Sequence, residues 1–401
     1  MIWGEIIKYA LLILVPLILG IVVWNGFLYL QIEKYLRKQK YTMLELNIPK
    51  DVFKSPQAME FVIDILHHLG GGAMDWKQRV WFGAVLQKSS LEIVSVEGNI
   101  YFFIRCPNKL GPLVKSSLYS QFPNAEINEV EDYTKYVPNY NHNQHLWDIY
   151  GADFKLTKDD YLPIKTYVDY ELDKNVGSLD EEQKIDPITP MLEFLGTLRK
   201  GEQIWIQFII RADPFTNWRS EAKAKIKDIM GKGKPIADDE PFQTVKLSHG
   251  EQEQIKAIER SLSKNAFETN IRALYIAEKE NYNKGVVGFF KGPIFKPFSS
   301  QHLNGIKKNK DVGFDWVWQD MTGGRLPRHK KKFFNDYVNR SAFYAPFLAH
   351  LNPFWKGNDR NMILTSEELA TLFHIPGRVA ETQSLERIEA TKAEAPSNLP
   401  L

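Results

Sequence analysis

SLEIVSVEGNIYFFIRCP, residues 90–107, decides how this chain is read. Two runs rich in β-branched and aromatic residues flank Glu97-Gly98-Asn99. A glycine-containing turn between two such runs predicts a β-hairpin. Outward on the N-terminal side, YTMLELNIPK (41–50) has the short apolar alternation of a strand. SPQAMEFVIDILHHL (55–69) predicts a helix. Ser55 is a capping residue, Pro56 takes the first helical position, and Met59, Val62, Ile63, Leu66 and Leu69 fall at helical spacing before Gly70-Gly71-Gly72. On the C-terminal side, LGPLVKSSLYSQFP (110–123) predicts a second helix and AEINEVED (125–132) a last strand. The order β-α-β-β-α-β is the split βαβ arrangement of ferredoxin-like domains.

A second run of elements follows the same order. YLPIKTYVDY (161–170) predicts a strand, DPITPMLEFLGTL (186–198) a helix and EQIWIQFIIRAD (202–213) an apolar strand. Two polar helices, about 218–230 and 250–264, look inserted. FETNIRALYIAEKE (267–280) continues as a strand, VVGFFKGPIFKPF (286–298) as a helix broken by proline, and NMILT (361–365) as the return strand. Residues 299–360 read as irregular and aromatic.

Tyr9–Leu30 runs 22 residues without a charge. As a helix this spans roughly 33 Å, enough for a bilayer core of about 30 Å. Trp24 and Tyr29 lie toward the end where aromatic rings favour the membrane interface. The apolar run exceeds that of a signal peptide, and no small-x-small cleavage site follows. Lys8 precedes the run, whereas Lys34, Arg37, Lys38 and Lys40 follow it. Positive charge on that side predicts a C-terminal body in the cytoplasm. The single cysteine, Cys106, excludes an intramolecular disulfide and fits a reducing compartment. Residues 1–40 carry +3 of the net +2, which leaves the body at −1. A near-neutral body argues against a surface dedicated to coating nucleic acid.

The predicted fold class is therefore α+β: a single N-terminal transmembrane helix followed by two ferredoxin-like (βαββαβ) modules, the second with helical insertions. The predicted boundaries are 1–40 for the anchor and its basic flank, 41–150 and 151–377 for the modules, and 378–401 for a flexible tail rich in Pro and Glu.

Motifs that carry chemistry are absent from the sequence. No G-x-x-x-x-G-K-[ST] phosphate loop occurs, and MGKGKP (230–235) lacks its spacing and its Ser/Thr. HNQH (142–145) and His67-His68 stand without HExxH or CxxC partners, and no G-x-S-x-G is present. No catalytic residue, cofactor or metal ligand is assigned. GGRLPRHKKK (323–332) concentrates Arg325, Arg328, Lys330, Lys331 and Lys332 beside Trp316, Trp318, Phe333 and Phe334. Such a cluster suits phosphates or anionic headgroups, although a solvated loop is the favoured reading. In ILTSEELATLFHIPG (363–377), Thr365 and Glu368 form a capping box. Leu369, Leu372 and Phe373 form an apolar stripe that Pro376 and Gly377 terminate. That stripe packs either on its own domain or on a partner.

Several of these stretches resemble a bacterial family of membrane-associated proteins related to conjugation and type IV secretion ATPases, of the TraG/TraD and HerA-like kind. They are the anchor, YTMLELNIPKDVFKSPQAMEF, LEIVSVEGNIYFFIRCP, FPNAEINEVEDYT, DPITPMLEFLGTLRKGEQIWIQFIIR and ILTSEELATLFHIPG. In such proteins the EELATLFHIPG-like segment and a Pro-rich linker lead into a nucleoside-triphosphatase core. This chain carries no Walker motif, and the resemblance implies the membrane-bound half of a split or truncated motor. The expected function is that of a non-enzymatic accessory protein of the inner membrane. It would dock a separately encoded TraG/HerA-like ATPase through Glu368, Leu369, Leu372, Phe373 and Pro376 and touch nucleic acid only indirectly or weakly. Homo-oligomer formation stays open. The rival expectations are a general membrane scaffold and an enzyme with an unrecognised site.

Overall fold

A computed structural model describes residues 2–47, 54–70, 75–137, 146–174, 185–213, 217–232, 234–235, 245–314, 317–321, 323–343 and 361–376. The His142/His145 pair, Trp316 and the tail 378–401 lie outside them.

A 37-residue helix, α1 (Ile2–Lys38), leads within two residues into the first strand. At 1.5 Å per residue it is about 55 Å long. The first half of the body comprises β1 (Tyr41–Asn47), α2 (Gln57–Gly70), α3 (Trp76–Val80), β2 (Lys88–Val96), β3 (Asn99–Pro107), α4 (Gly111–Gln121) and β4 (Glu126–Val130). The second half begins with β5 (Trp147–Leu156), α5 (Thr189–Gly196) and β6 (Glu202–Ala212). An insertion of α6 (Trp218–Lys232), the two-residue strands β7 (Lys234–Pro235) and β8 (Val245–Lys246), and α7 (His249–Leu262) follows. Then come β9 (Ala266–Glu278), α8 (Lys284–Phe290), β10 (Ile306–Asp311), α9 (Arg325–Val338), β11 (Met362–Thr365) and α10 (Ser366–Leu372).

The chain thus folds as a mixed α and β body around one antiparallel sheet. Its strand order is β10-β5-β9-β6-β2-β3-β1-β4, with β11 beside the start of β9. The hairpin forms as expected: Glu97 and Gly98 both have positive φ, 53° and 91°, as a two-residue turn of the I′ type requires. The two halves meet where β2 and β6 pair antiparallel, from Lys88↔Arg211 to Val96↔Gln203. Leu91, Ile93, Ile204, Ile206 and Phe208 along this seam are fully buried. One hydrophobic core extends through both halves. A smaller cluster of Trp218, Ala222, Ala257, Ile258, Leu303 and Ile363 seats the insertion.

Both sheet faces are covered, which explains why β2 and β6 are almost continuously buried rather than alternating. On one face α2 packs beside α4 and α10, and Phe373 meets Phe102 edge-on at 5.7 Å. On the other, Tyr133, Phe334 and Tyr337 surround Trp205.

Four expectations need correction. Residues 161–170 form no strand. Their backbone donors pair with no strand: the amides of Ile164 and Tyr167 bond to the side chains of Glu368 and Thr371, and that of Lys165 to the Phe298 carbonyl. The strand is β5 instead, so the boundary drawn at 150 falls inside it. Residues 299–360 are not wholly irregular, because β10 and α9 lie within them. The fourth strand of the second half is β10, paired with β5, and 362–365 pairs with β9.

Candidate functional site

Three regions bear on function: the apolar helix, the basic cluster and the C-terminal clasp. Within α1, Leu14–Lys38 is long and apolar enough to cross a membrane by length and composition. Leu12, Leu17 and Val23 are 60–70% exposed, so the other described residues do not cover this surface. One side of the helix, marked by Pro16, Leu19, Gly20, Val23, Trp24 and Phe27, lines with Trp81 an open apolar recess of about 600 Å³. Trp81 meets Phe27 edge-on at 5.8 Å. Gly83 has φ +61°, and a side chain there would come within 2.2 Å of the Gln31 carbonyl carbon. The chain at Gly83 therefore lies against the backbone of α1, and only glycine allows that approach.

The basic cluster is helical, not a loop. Asp320 accepts hydrogen bonds from the amides of Arg325 and Leu326 and so caps the start of α9. Pro327 falls within the first turn, where no amide proton is needed. Phe333, Phe334 and Tyr337 anchor the inner side of α9 to the sheet. Arg325, Arg328, Lys331 and Lys332 are exposed on the outer side, whereas Lys330 pairs with Asp148. Strand register gives the position of this patch. Asp148 lies opposite Ala277, near the end of β9. Met43, just past the entry from α1, leads across Arg105, Ser90 and Ile209 to Asn270, near the start of β9. The intervening seven residues are about 23 Å of strand. The basic face and α1 thus sit toward opposite ends of the sheet.

The five residues expected to contact a partner are instead built into the fold. Leu369, Leu372 and Phe373 are fully buried, and Glu368 and Pro376 are buried as well. The capping box is present, with Thr365 Oγ1 and Glu368 serving each other's amides. Glu368 also accepts from the Ile164 amide at 2.9 Å. Burial pushes its carboxyl up to about 7 despite these bonds. His374 faces acceptors on both ring nitrogens, the carbonyls of Ala370 and Thr371 and the Asp186 carboxylate at 3.1 Å. Burial opposes its charge, but Asp186 and the two carbonyls prevail and raise its pKa. The apolar stripe thus serves its own domain, because α10 fills the space beside α2.

Two buried polar networks are visible only in three dimensions. Glu92 accepts from Ser90, Tyr133, Gln207 and both Arg340 donors facing it, while Arg340 also pairs with Asp132. Burial raises the Glu92 carboxyl, but Arg340 outweighs it and holds the pKa low. The second network joins Glu60 on α2 to Lys264 at 2.7 Å, and Arg260 on α7 to Glu367 and Asp169 at 2.9 Å. Each ties separate elements together. Among the described residues, no three His, Cys, Asp or Glu side chains converge as metal ligands. Cys106 is buried, and burial pushes its thiol up to about 12.

Sequence reading also passed over Trp76, Trp81 and Phe82. All three are more than half exposed, next to exposed Lys77 and Arg79. The signal was the density of large aromatics in WKQRVWF after the glycine break.

No curated protein matches the chain. Residues 37–306 match a family described as a domain of unknown function (DUF8128). The matched region begins at the end of α1 and runs through β9 to the first residue of β10. With well over half of its length matched, the chain belongs to that family.

Proposed function

We propose that this protein is a single-pass anchor of the inner membrane whose cytoplasmic body docks a separately encoded ATPase of a conjugation or type IV secretion-like system. The observation that carries the reading is α1, an exposed apolar helix joined within two residues to the sheet. Exposed leucines and valines along a helix of this length are costly in water and favourable in lipid. The excess of Lys and Arg after the span supports the cytoplasmic orientation. In this reading the body is a pair of ferredoxin-like modules. The orders β4-β1-β3-β2 and β10-β5-β9-β6 support it, since each is the 4-1-3-2 order of a split βαβ unit. The basic outer face of α9, at the end of the sheet away from α1, is the surface that suits an acidic docking partner.

The test is made on the full chain in native membranes. The wild type should resist carbonate extraction, and Leu17→Arg with Leu19→Arg should release it. Affinity capture should bring down a nucleotidase with a phosphate loop, and Arg328→Glu with Lys331→Glu and Lys332→Glu should weaken that capture. Extraction of the wild type by carbonate overturns the anchor. Firm anchoring without a co-purifying nucleotidase overturns the motor role and leaves a general membrane scaffold.

A further inference from the structure

We propose that residues 75–83 are a second membrane contact, lying in the interface of the leaflet that receives the C-terminal end of α1. The inference rests on α1 being inserted in lipid. Asp75-Trp76-Lys77-Gln78-Arg79-Val80-Trp81-Phe82-Gly83 contains the short helix α3, which has no buried residue. Trp76 is 64%, Trp81 56% and Phe82 69% exposed. Three large aromatic side chains left to water within seven residues need a partner.

The identity of that partner follows from where the segment is held. Trp81 packs on Phe27, and Gly83 lies against Gln31. The uncharged run of α1 ends at Leu30, and Gln31, Glu33 and Lys34 follow. Trp81, and with it Phe82 between the two contacts, is therefore held near the level where α1 passes from apolar to charged, which in a membrane is the headgroup boundary. Trp and Phe rings favour that depth. Lys77 and Arg79 are exposed among them, as suits anionic headgroups, while their aliphatic stems can lie along apolar surface. A protein groove would match the aromatics alone. A bilayer interface matches the aromatics, the cations and the depth at which Trp81 and Gly83 meet α1.

The experiment uses the full chain with single cysteines carrying an environment-sensitive fluorophore. Buried Cys106, whose thiol is held protonated, is not labelled under native conditions. Labels go at Val15→Cys in α1, at Phe82→Cys, and at Met321→Cys beside the start of α9 as the control. The protein is reconstituted in vesicles of phosphatidylcholine with phosphatidylglycerol, with nitroxide placed near the headgroup on a trace lipid. The proposal expects a blue shift and quenching at 82, a blue shift at 15, and water-like emission at 321. Water-like emission at 82 with a blue shift at 15 overturns this inference and leaves the anchor standing. Water-like emission at both 15 and 82 overturns the anchor, and the inference with it. A blue shift at 82 without nitroxide quenching, together with cross-links between copies, assigns the aromatics to a second copy of the chain and also overturns it. As a second measure, Lys77→Glu with Arg79→Glu should reduce quenching at 82 and leave the label at 15 unmoved.

Discussion

Arg340 occupies a left-handed conformation, φ +49°, that a residue with a Cβ adopts at a cost. Its guanidinium pairs there with both Glu92 and Asp132, and the chain carries it under the sheet just after α9. Glu92 is fully buried, and Arg340 is the cation that bonds it directly, with Arg105 close enough to act on it as well. Arg340→Met should destabilise the protein by about 3–5 kcal/mol, because a buried carboxylate loses the counter-charge bonded to it. The change is read as a fall in the denaturation midpoint, and adding Glu92→Leu should recover part of it. A loss below about 1 kcal/mol would remove the pair from the core energetics. A pH prediction sits on Glu368. Its folded-state pKa is raised to about 7 from the usual 4.5, so the native state retains a proton that the unfolded chain releases. This residue therefore lowers stability progressively as pH rises from about 4.5 to 7, by on the order of 2–3 kcal/mol. His374 acts in the same direction. Its pKa is raised, so the stability of its pairing is present below about 6.5 and is lost as pH rises through the folded value. Glu368→Gln keeps the acceptor of the capping box and should flatten the slope between pH 4.5 and 7. An unchanged slope in denaturation curves would show that another group carries it.

The element α10 was legible from sequence as a capped helix with one apolar stripe, but the surface it covers was not. Pattern gives the stripe, and only the fold shows that α2 and β3 receive it. Phe373→Ala should cost about 3–5 kcal/mol and Leu369→Ala about 2–5, since both side chains are fully buried. Retention of the wild-type midpoint by either variant would mean that the helix does not belong to the folded core. The hairpin, α2, α4 and α5 were equally legible, because turn residues, caps and periodicity agree there. Tyr161–Tyr170 misled for a physical reason. Apolar alternation reports alternate burial, and Leu162, Ile164 and Tyr167 are indeed buried. The amides of Ile164 and Tyr167, however, bond to Glu368 and Thr371 rather than to a neighbouring strand. Helix α9 was hidden by its composition. RLPRHKKK is too charged to show a stripe until Phe333, Phe334 and Tyr337 enter the window. The Glu92–Arg340 pair spans 248 residues of sequence, and no local signal announces it.

At the scale of the molecule, the seam between β2 and β6 decides whether the two halves behave as one body. Strands that hold the same place in each half meet here, pairing over nine residues with most of their apolar side chains buried. Without the seam each would be an open edge of unpaired amides and carbonyls. Buried polar bonds cross it as well, with Gln207 on β6 donating to Glu92 on β2 at 3.1 Å. The clasp extends the coupling, since Ser366 at the start of α10 bonds to Glu60 of the first half while β11 pairs with β9 of the second. A core continuous through both halves cannot open on one side without exposing the other. The body should therefore unfold in a single cooperative transition. Ile206→Ala, at a fully buried position of β6, should cost about 2–5 kcal/mol. The loss should appear equally in the two halves when amide exchange of β3 and of β5 is followed in the full chain in detergent. If β5 lost protection while β3 kept that of the wild type, the halves would be separate cooperative units, and the seam would be a contact between domains rather than the centre of one fold.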